Sequence, residues 1–495
     1  MKRMTRLLAL CWLCCGGASA QTHELPRTSP ESQGLRSVQV TAFFDSLLAF
    51  PLTEIHSVVI LRHGMVVGEM YPAPFRPEYM HTMFSCSKTF TAAAVGIAIS
   101  ENWLRLTDRL ITFFPEYLPP QVGNWLAAVT VEDLLTMRSG FVVDTQMRTK
   151  SLTWIRDYLA HPMNAAPGTL FQYDSIDTYL LSAIVQRVTG MRVADYLRMK
   201  VFDKMNIRQA RWEFSPEGIT TGGWGLYIQP ESMAKFGQLL LQHGQWRGQQ
   251  LIPARWVETM MTPHVDKKGD KYCYQMWTCD YPTAVRADGA YGQYIIVIPG
   301  KDMVVVITQC MMNDGKRERD FIWNTLLKDM QDQPLPPSDD YLQLQQRSYT
   351  LPLLDGEEAN PLMEAYVGRT LTLQKNALGW TAMRFGDGDI LEITDTAQHT
   401  GRVEMGYQQW RTSDFNSYPL HARTLTKNRF SDIPMAFHTA ACRAWVGDEL
   451  QAKIHFVDWM SSVRLKFRFD GDTISIEAQE NYLKNPVRLK AYAQQ

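Results

Sequence analysis

Residues Thr89 to Ile99, TFTAAAVGIAI, carry no charged side chain. A helix that is apolar on every side has to be covered on every side, so this stretch demands a core with elements packed all around it. Immediately before it stands SCSK, Ser85 to Lys88. Lys88, three residues after Ser85, shares its helical face, which sets an ammonium against a hydroxyl where the chain is about to be buried. Desolvation there favours the neutral amine, which can take a proton from the alcohol. The helix N-terminus also aims backbone N–H groups at any oxyanion that forms. The same spacing recurs in Ser232-Met233-Ala234-Lys235, read here as a surface helix with a solvated lysine. Context, not spacing, singles out Ser85.

Around this helix the pattern is that of an α+β fold, an antiparallel sheet flanked by helices. HSVVILRHGMVVGEMY reads as two strands turning at His63-Gly64, and YIIVIPGKDMVVVIT as a second hairpin turning at Pro299-Gly300. Between them VTVEDLLTMRSGF is a short helix closed by Gly140. Leu180, Leu181, Ile184, Val185 and Val188 fall at helical spacing up to Gly190, and PESMAKFGQLLLQHG is a helix opened by Pro230 and stopped by Gly244. A proline-rich run, Gln331–Asp340, marks a linker (333–345) between a first domain, 21–332, and a C-terminal all-β domain, 346–495. In the latter, VRLKFRFDGDTISIEA alternates apolar and charged residues about a turn at Asp470-Gly471. No compact acid, histidine or cysteine cluster appears in it, and no chemistry is assigned to it.

The order FSCSKTF, VEDLLTMRSGF, PGTLFQYDS…YLLSAIVQRVTG, GGWGLYIQPESMAKFG and ADGAYGQYIIVIPGKDMVVV, over about residues 40–330, resembles the serine β-lactamase and penicillin-binding-protein superfamily. Within it the likeness is to the class C-like branch of esterases and 6-aminohexanoate-dimer hydrolases. The resemblance implies Ser85 as acylated nucleophile, Lys88 as proton acceptor and Tyr173 of QYDS as the phenol that shares the proton. Two departures stand out. Ser175 occupies the place of the usual asparagine, shorter and without the amide. Ala287-Asp288-Gly289 replaces Lys-Thr-Gly or His-x-Gly, keeping the close backbone approach at Gly289. The resemblance then makes the N–H of Ala290 the oxyanion donor paired with that of Ser85. Asp288 reads equally well as a solvated turn residue. Loss of the lysine removes the charge that receives a β-lactam carboxylate, which favours a neutral ester or amide.

The expectation is an exported serine hydrolase working through a Ser85 acyl-enzyme. Its rivals are a D-amino-acid peptidase or weak β-lactamase, and a non-catalytic binding or sensor protein on the same fold. Lys2, Arg3 and Arg6, the apolar run Leu7–Cys15 and Ala18-Ser19-Ala20 read as a secretory signal, residues 1–20, leading to the periplasm or medium. Removing its three cations from 50 leaves 47 basic against 51 acidic residues, which points to neither nucleic acid nor an anionic membrane surface. No membrane span is expected after cleavage. The partner is a small-molecule ester or amide, or a peptide, and the oligomeric state is not specified. The cysteines left are Cys86, Cys273, Cys279, Cys310 and Cys442; Cys273 and Cys279 could pair across a tight turn, but the set reads as free thiols, with Cys86 turned off the Ser85 face. The histidines show no His-Glu-x-x-His or i,i+4 pair, so neither a metal nor a cofactor is expected. Gly-x-Ser-x-Gly and a phosphate-binding Gly-x-x-x-x-Gly-Lys are both absent from the sequence. Trp224, Tyr227, Trp277 and Tyr291 flank the motifs as candidate walls of an acyl pocket.

Overall fold

The computed structural model describes residues 25–143, 151–267, 269–416 and 437–493; the expected export signal lies outside them. The first half is organised by one antiparallel sheet. Its strands are β1 (Thr53–Arg62), β2 (Met65–Met70), β3 (Trp277–Thr278), β4 (Val285–Gly289), β5 (Gln293–Ile298) and β6 (Met303–Met311), in the order β2-β1-β6-β5-β4-β3. Both expected hairpins are present, with His63 and Gly64 at positive φ in the first turn and a 3₁₀ turn at Pro299–Lys301 in the second. The central pair, β1 and β6, joins the two sequence ends of this half, so the sheet closes only after most of it has been synthesised.

Strand alternation divides the core in two. Val304 and Val306 face one layer, with α2 (Ser87–Ser100), α3 (Ser175–Thr189) and α4 (Pro230–Leu241). Val305 and Ile307 face the other, with α1 (Ser37–Leu48). Because helices cover both faces, the strands read as continuous apolar runs. Helix α2, uncharged after Lys88, is buried along almost its whole length, as its composition requires. It is so tightly held that a Cβ at Gly96 would fall 2.0 Å from the Trp256 ring.

Two local expectations are corrected. The helix in VEDLL spans only Val131–Leu135, and Gly140 does not close it. Gly140 sits in the loop beyond, at φ +85, where a Cβ would meet the Ala165 carbonyl at 2.2 Å. Lys235 is not on a surface: α4 lies against the sheet, and the buried Lys235 donates to the Met205 carbonyl at 3.3 Å. A second layer over the helix supplies the acceptor that makes burial of this lysine tolerable.

The C-terminal half is a closed barrel. Its strands are β7 (Thr370–Leu373), β8 (Trp380–Gly386), β9 (Ile390–Asp395), β10 (Thr400–Tyr407), β11 (Arg411–Phe415), β12 (Phe437–Val446), β13 (Glu449–Phe456), β14 (Ser462–Asp470), β15 (Thr473–Glu480) and β16 (Val487–Ala493). Neighbours pair in the order β10-β9-β8-β7-β16-β15-β14-β13-β12-β11, and closure comes from β10 pairing with β12 at Met405–Tyr407. The turn expected at Asp470-Gly471 joins β14 to β15. The barrel's apolar cluster also takes in Met80, Phe84, Tyr227 and Cys310 of the first half. Trp459, fully buried in the β13–β14 turn, lies 5.3 Å from Phe84 and 5.9 Å from Tyr227 between ring centroids. The Thr82 N–H donates to the Asp458 carbonyl at 3.2 Å. The two halves therefore share packing at this point. No helix among the described residues is long and apolar enough to cross a membrane.

One buried acid gives the fold a pH signature. Glu318 is pushed up to about 8 by burial, against a hydrogen bond from Gln309 Nε2 at 2.9 Å that pulls the other way. A carboxyl whose folded value is raised contributes stability that is present below its unfolded value of 4.5 and lost as pH rises through about 8. Urea unfolding is expected to show stability declining over that window, with a shallower decline in Glu318→Gln.

Candidate active site

Ser85 lies in a 3₁₀ turn, Phe84–Cys86, that feeds α2. Of residues 81–98 it alone is not buried. Phe84, just before it, is at φ +43, a left-handed conformation that a bulky residue adopts only when its surroundings hold it there. The surroundings are on hand. Met83 N–H donates to the Leu226 carbonyl at 2.8 Å, Ser87 Oγ donates to the Phe84 carbonyl at 2.6 Å, and Leu226 N–H donates to Ser87 Oγ at 3.2 Å. Phe84 itself is clamped between Trp459 and Tyr291. The turn is thus pinned from both halves of the molecule.

Lys88 is 1 % exposed. Its Nζ lies 3.2 Å from Ser85 Oγ, 2.9 Å from Ser175 Oγ and 2.7 Å from the Gly223 carbonyl. The carbonyl can only accept, whereas either hydroxyl can donate or accept. The network therefore admits a state in which Ser85 O–H donates to a neutral Nζ. Ser175 opens α3 and is positioned by its neighbour: Asp174 Oδ1 accepts from Ile176 N–H at 2.9 Å, and Oδ2 accepts from Tyr158 O–H at 2.6 Å. At Gly223 the chain must approach closely, since a Cβ there would meet the Ser175 carbonyl at 2.6 Å and Lys88 Nζ at 3.4 Å.

Tyr173 leaves 36 % of its surface on the rim, with Ser85 close enough to its phenol to bear on its titration. Lys88 Nζ lies 4.9 Å from the centroid of its ring. Burial raises the Tyr173 phenol well above its ordinary range, partly countered by the Ser85 contact, so at neutral pH it holds its proton. Trp277 and the buried Tyr272 flank the ring at 5.8 and 6.2 Å. Ser85, Lys88, Tyr173 and Ser175 thus meet at one place in the fold.

Gly289 ends β4 behind the same turn, where a Cβ would fall 2.4 Å from the Met83 carbonyl. Ala290 follows it and is exposed. Asp288 is not a solvated turn residue: it lies on β4 and accepts from Arg286 Nε at 2.7 Å, while Arg286 Nη2 also holds Asp270 at 2.7 Å. The buried Cys86 thiol donates to the Gln293 carbonyl at 3.1 Å, and burial raises it, so it packs and does not react. Of the aromatic residues, Trp224 and Tyr227 are buried as packing, whereas Trp277 and Tyr291 remain part-exposed.

Two features escape a linear reading. The Gly223 carbonyl is one, although Gly222-Gly223 is a signal for close backbone approach. The other is a cluster of Glu54, His56 and His455, far apart in sequence, whose ligand-type atoms lie within 4.8 Å of one another.

Residues 56–329 match the family model described as Beta-lactamase. A 6-aminohexanoate-dimer hydrolase of Paenarthrobacter ureafaciens is 25% identical over 280 residues, covering 50% of this chain and 70% of that protein. A penicillin-binding-protein homologue from Caulobacter crescentus superposes with a TM-score of 0.50 at 16% identity, over 59% of this chain and 97% of that one. EstCE1, a hydrolase with promiscuous acyltransferase activity, gives a TM-score of 0.50 at 16% identity, over 59% and 98%.

The tight approach at Gly223 is directly testable. Gly223→Ala is expected to lower the melting temperature, because the methyl group must push the start of α3 away from Lys88. Gly123→Ala is expected to be silent in the same thermal scan, since nothing lies within 4 Å of a Cβ there.

Proposed function

The chain belongs to the beta-lactamase family and is a serine hydrolase, and from that premise we propose that it cleaves a neutral ester or amide through an acyl-enzyme on Ser85. The observation that carries this reading is the placement of Lys88 Nζ at 3.2 Å from Ser85 Oγ in a site where Gly223 and Ser175 fix the amine. Lys88 takes the Ser85 proton as Oγ attacks the carbonyl carbon. The N–H groups of Ser85 and Ala290 hold the oxyanion. Tyr173, which keeps its proton, gives it to the leaving group, and Lys88 reprotonates it. Water then attacks the ester to Ser85 and releases the acid. A curated relative is named as a 6-aminohexanoate-dimer hydrolase, in keeping with a hydrolase of this kind.

Asp288 favours a neutral substrate over a penicillin. A β-lactam carboxylate would approach a strand bearing an acid, and the nearby cation, Arg286, is already shared by Asp288 and Asp270. Export through residues 1–20 belongs to the same proposal, with a mature chain beginning at Gln21.

Hydrolysis of p-nitrophenyl esters by the full chain tests the roles. Ser85→Ala and Lys88→Met are each expected to lose about 10³-fold or more in kcat, and Tyr173→Phe about 10²–10⁴-fold, the usual worth of a positioned acid or base. Undiminished turnover in Ser85→Ala would sink the proposal. Esters are expected to turn over rapidly while a fluorescent penicillin leaves no lasting label. A stable penicilloyl adduct would favour the peptidase or β-lactamase reading, and an ester-derived adduct that never releases product would favour a sensor.

A further inference from the structure

We propose that Glu54, His56 and His455 form a binding site for a borderline transition-metal ion, zinc by preference, that clamps the hydrolase half to the barrel. Glu54 and His56 stand on β1, and His455 stands on β13. His56 is the bulged residue of β1: pairing with β6 runs from Ile55↔Gln309 to Ser57↔Thr308 and skips it. A bulge re-aims one side chain out of the sheet's alternation, here towards the barrel. Both imidazoles are buried, at 1 % and 0 % exposed.

The hydrogen-bond chain fixes which nitrogen of His56 is bare. His81 Nδ1 lies 2.9 Å from the Thr82 carbonyl, which can only accept, so Nδ1 carries the proton and the neutral ring's Nε2 accepts. That Nε2 lies 2.9 Å from His56 Nδ1, which must therefore be the donor. In the neutral His56 ring the lone pair sits on Nε2, aimed at Glu54 Oε1 at 3.6 Å. On the other side, His455 Nδ1 lies 3.4 Å from the same oxygen. Neither His56 Nε2 nor either nitrogen of His455 has a hydrogen-bond partner among the described residues. Two imidazole nitrogens thus converge on one carboxylate oxygen.

These two separations suit a metal better than direct hydrogen bonds, and all three ligand atoms fall within 4.8 Å of one another. Tetrahedral zinc with ligands at ~2.0–2.1 Å sets neighbouring donor atoms ~3.3–3.4 Å apart. Two nitrogens and a carboxylate oxygen suit zinc, cobalt or nickel, whereas calcium and magnesium take oxygen ligands. The surroundings behave as an outer shell. His81 orients His56, as a carbonyl or carboxylate commonly orients a ligating histidine. Lys453 Nζ holds the outer oxygen, Oε2, at 3.2 Å, and Asn481 Nδ2 reaches Oε1 at 3.3 Å. Phe75 stacks on His56 at 3.9 Å, and Trp410 stands edge-on to His455 at 5.0 Å, which excludes water from two sides. The Lys453 charge works against a cation, so uptake is measured up to high-micromolar zinc. The site is separate from Ser85, although His81 stands four residues before it on the strand that enters the nucleophile turn.

The test uses untagged full chain stripped with a chelator and then titrated with Zn²⁺ or Co²⁺, and it needs no enzymatic readout. The site predicts uptake of about one equivalent of zinc by elemental analysis, visible d–d absorption with cobalt and a higher melting temperature with either ion. His56→Gln and His455→Gln are expected to bind at least tenfold more weakly, and Ser85→Ala to bind like the parent. Should either histidine variant misfold, the stripped and refilled parent decides alone. Failure of the parent to take up zinc or to gain thermal stability would overturn the proposal, as would unaltered uptake in two folded histidine variants.

Discussion

The catalytic half depends on the burial of one nitrogen. Lys88 Nζ is held by a hydroxyl on its own turn, a hydroxyl at the start of α3 and a carbonyl of the Gly222-Gly223 loop. These groups come from three segments that meet only in the folded sheet-and-helix sandwich. An amine so deep is costly unless each of its positions is met by a polar partner, and each partner is in turn fixed. Asp174 and Tyr158 set the start of α3, and the glycine permits the approach that a Cβ at 2.6 Å from Ser175 would forbid. The apolar helix following Lys88 is what makes this arrangement possible, since it carries the residue into a core covered on all sides.

The barrel is joined to the site through the Ser85 turn. Phe84 adopts a conformation that local sterics disfavour, and Trp459 of the barrel lies directly against its ring. Packing across the two halves thus bears on the residue next to Ser85. The Glu54, His56 and His455 cluster lies at the same junction and ends, through His81 and Thr82, on the strand that leads into the turn. The barrel, to which no chemistry is assigned, still has a physical part in holding the Ser85 turn in place.

Features written in local pattern were legible in the sequence: both sheet hairpins, the helix closed by Gly190, the Asp470-Gly471 turn and the Ser85-x-x-Lys88 constellation. Features set by distant neighbours were not. Lys235 looked like a surface residue because nothing local reveals the layer that covers α4 and offers the Met205 carbonyl. Asp288 left two readings open, and the guanidinium that decides between them is on its own strand but finds its second carboxylate at Asp270. The histidine cluster could not be seen because His455 is on a barrel strand and no spacing rule links it to β1. Ser175 shows the limit of motif matching: it departs from the usual asparagine, yet its hydroxyl reaches Lys88 at 2.9 Å.

Proton transfer from Ser85 to Lys88, the central step of the proposed mechanism, is read most directly by the site of covalent capture. After exposure to a fluorophosphonate, peptide mapping by mass spectrometry should find a single phosphonylated residue, Ser85, in the parent chain and negligible label in Lys88→Met. Modification at another residue, or labelling of Ser85 at an unchanged rate without Lys88, would contradict it.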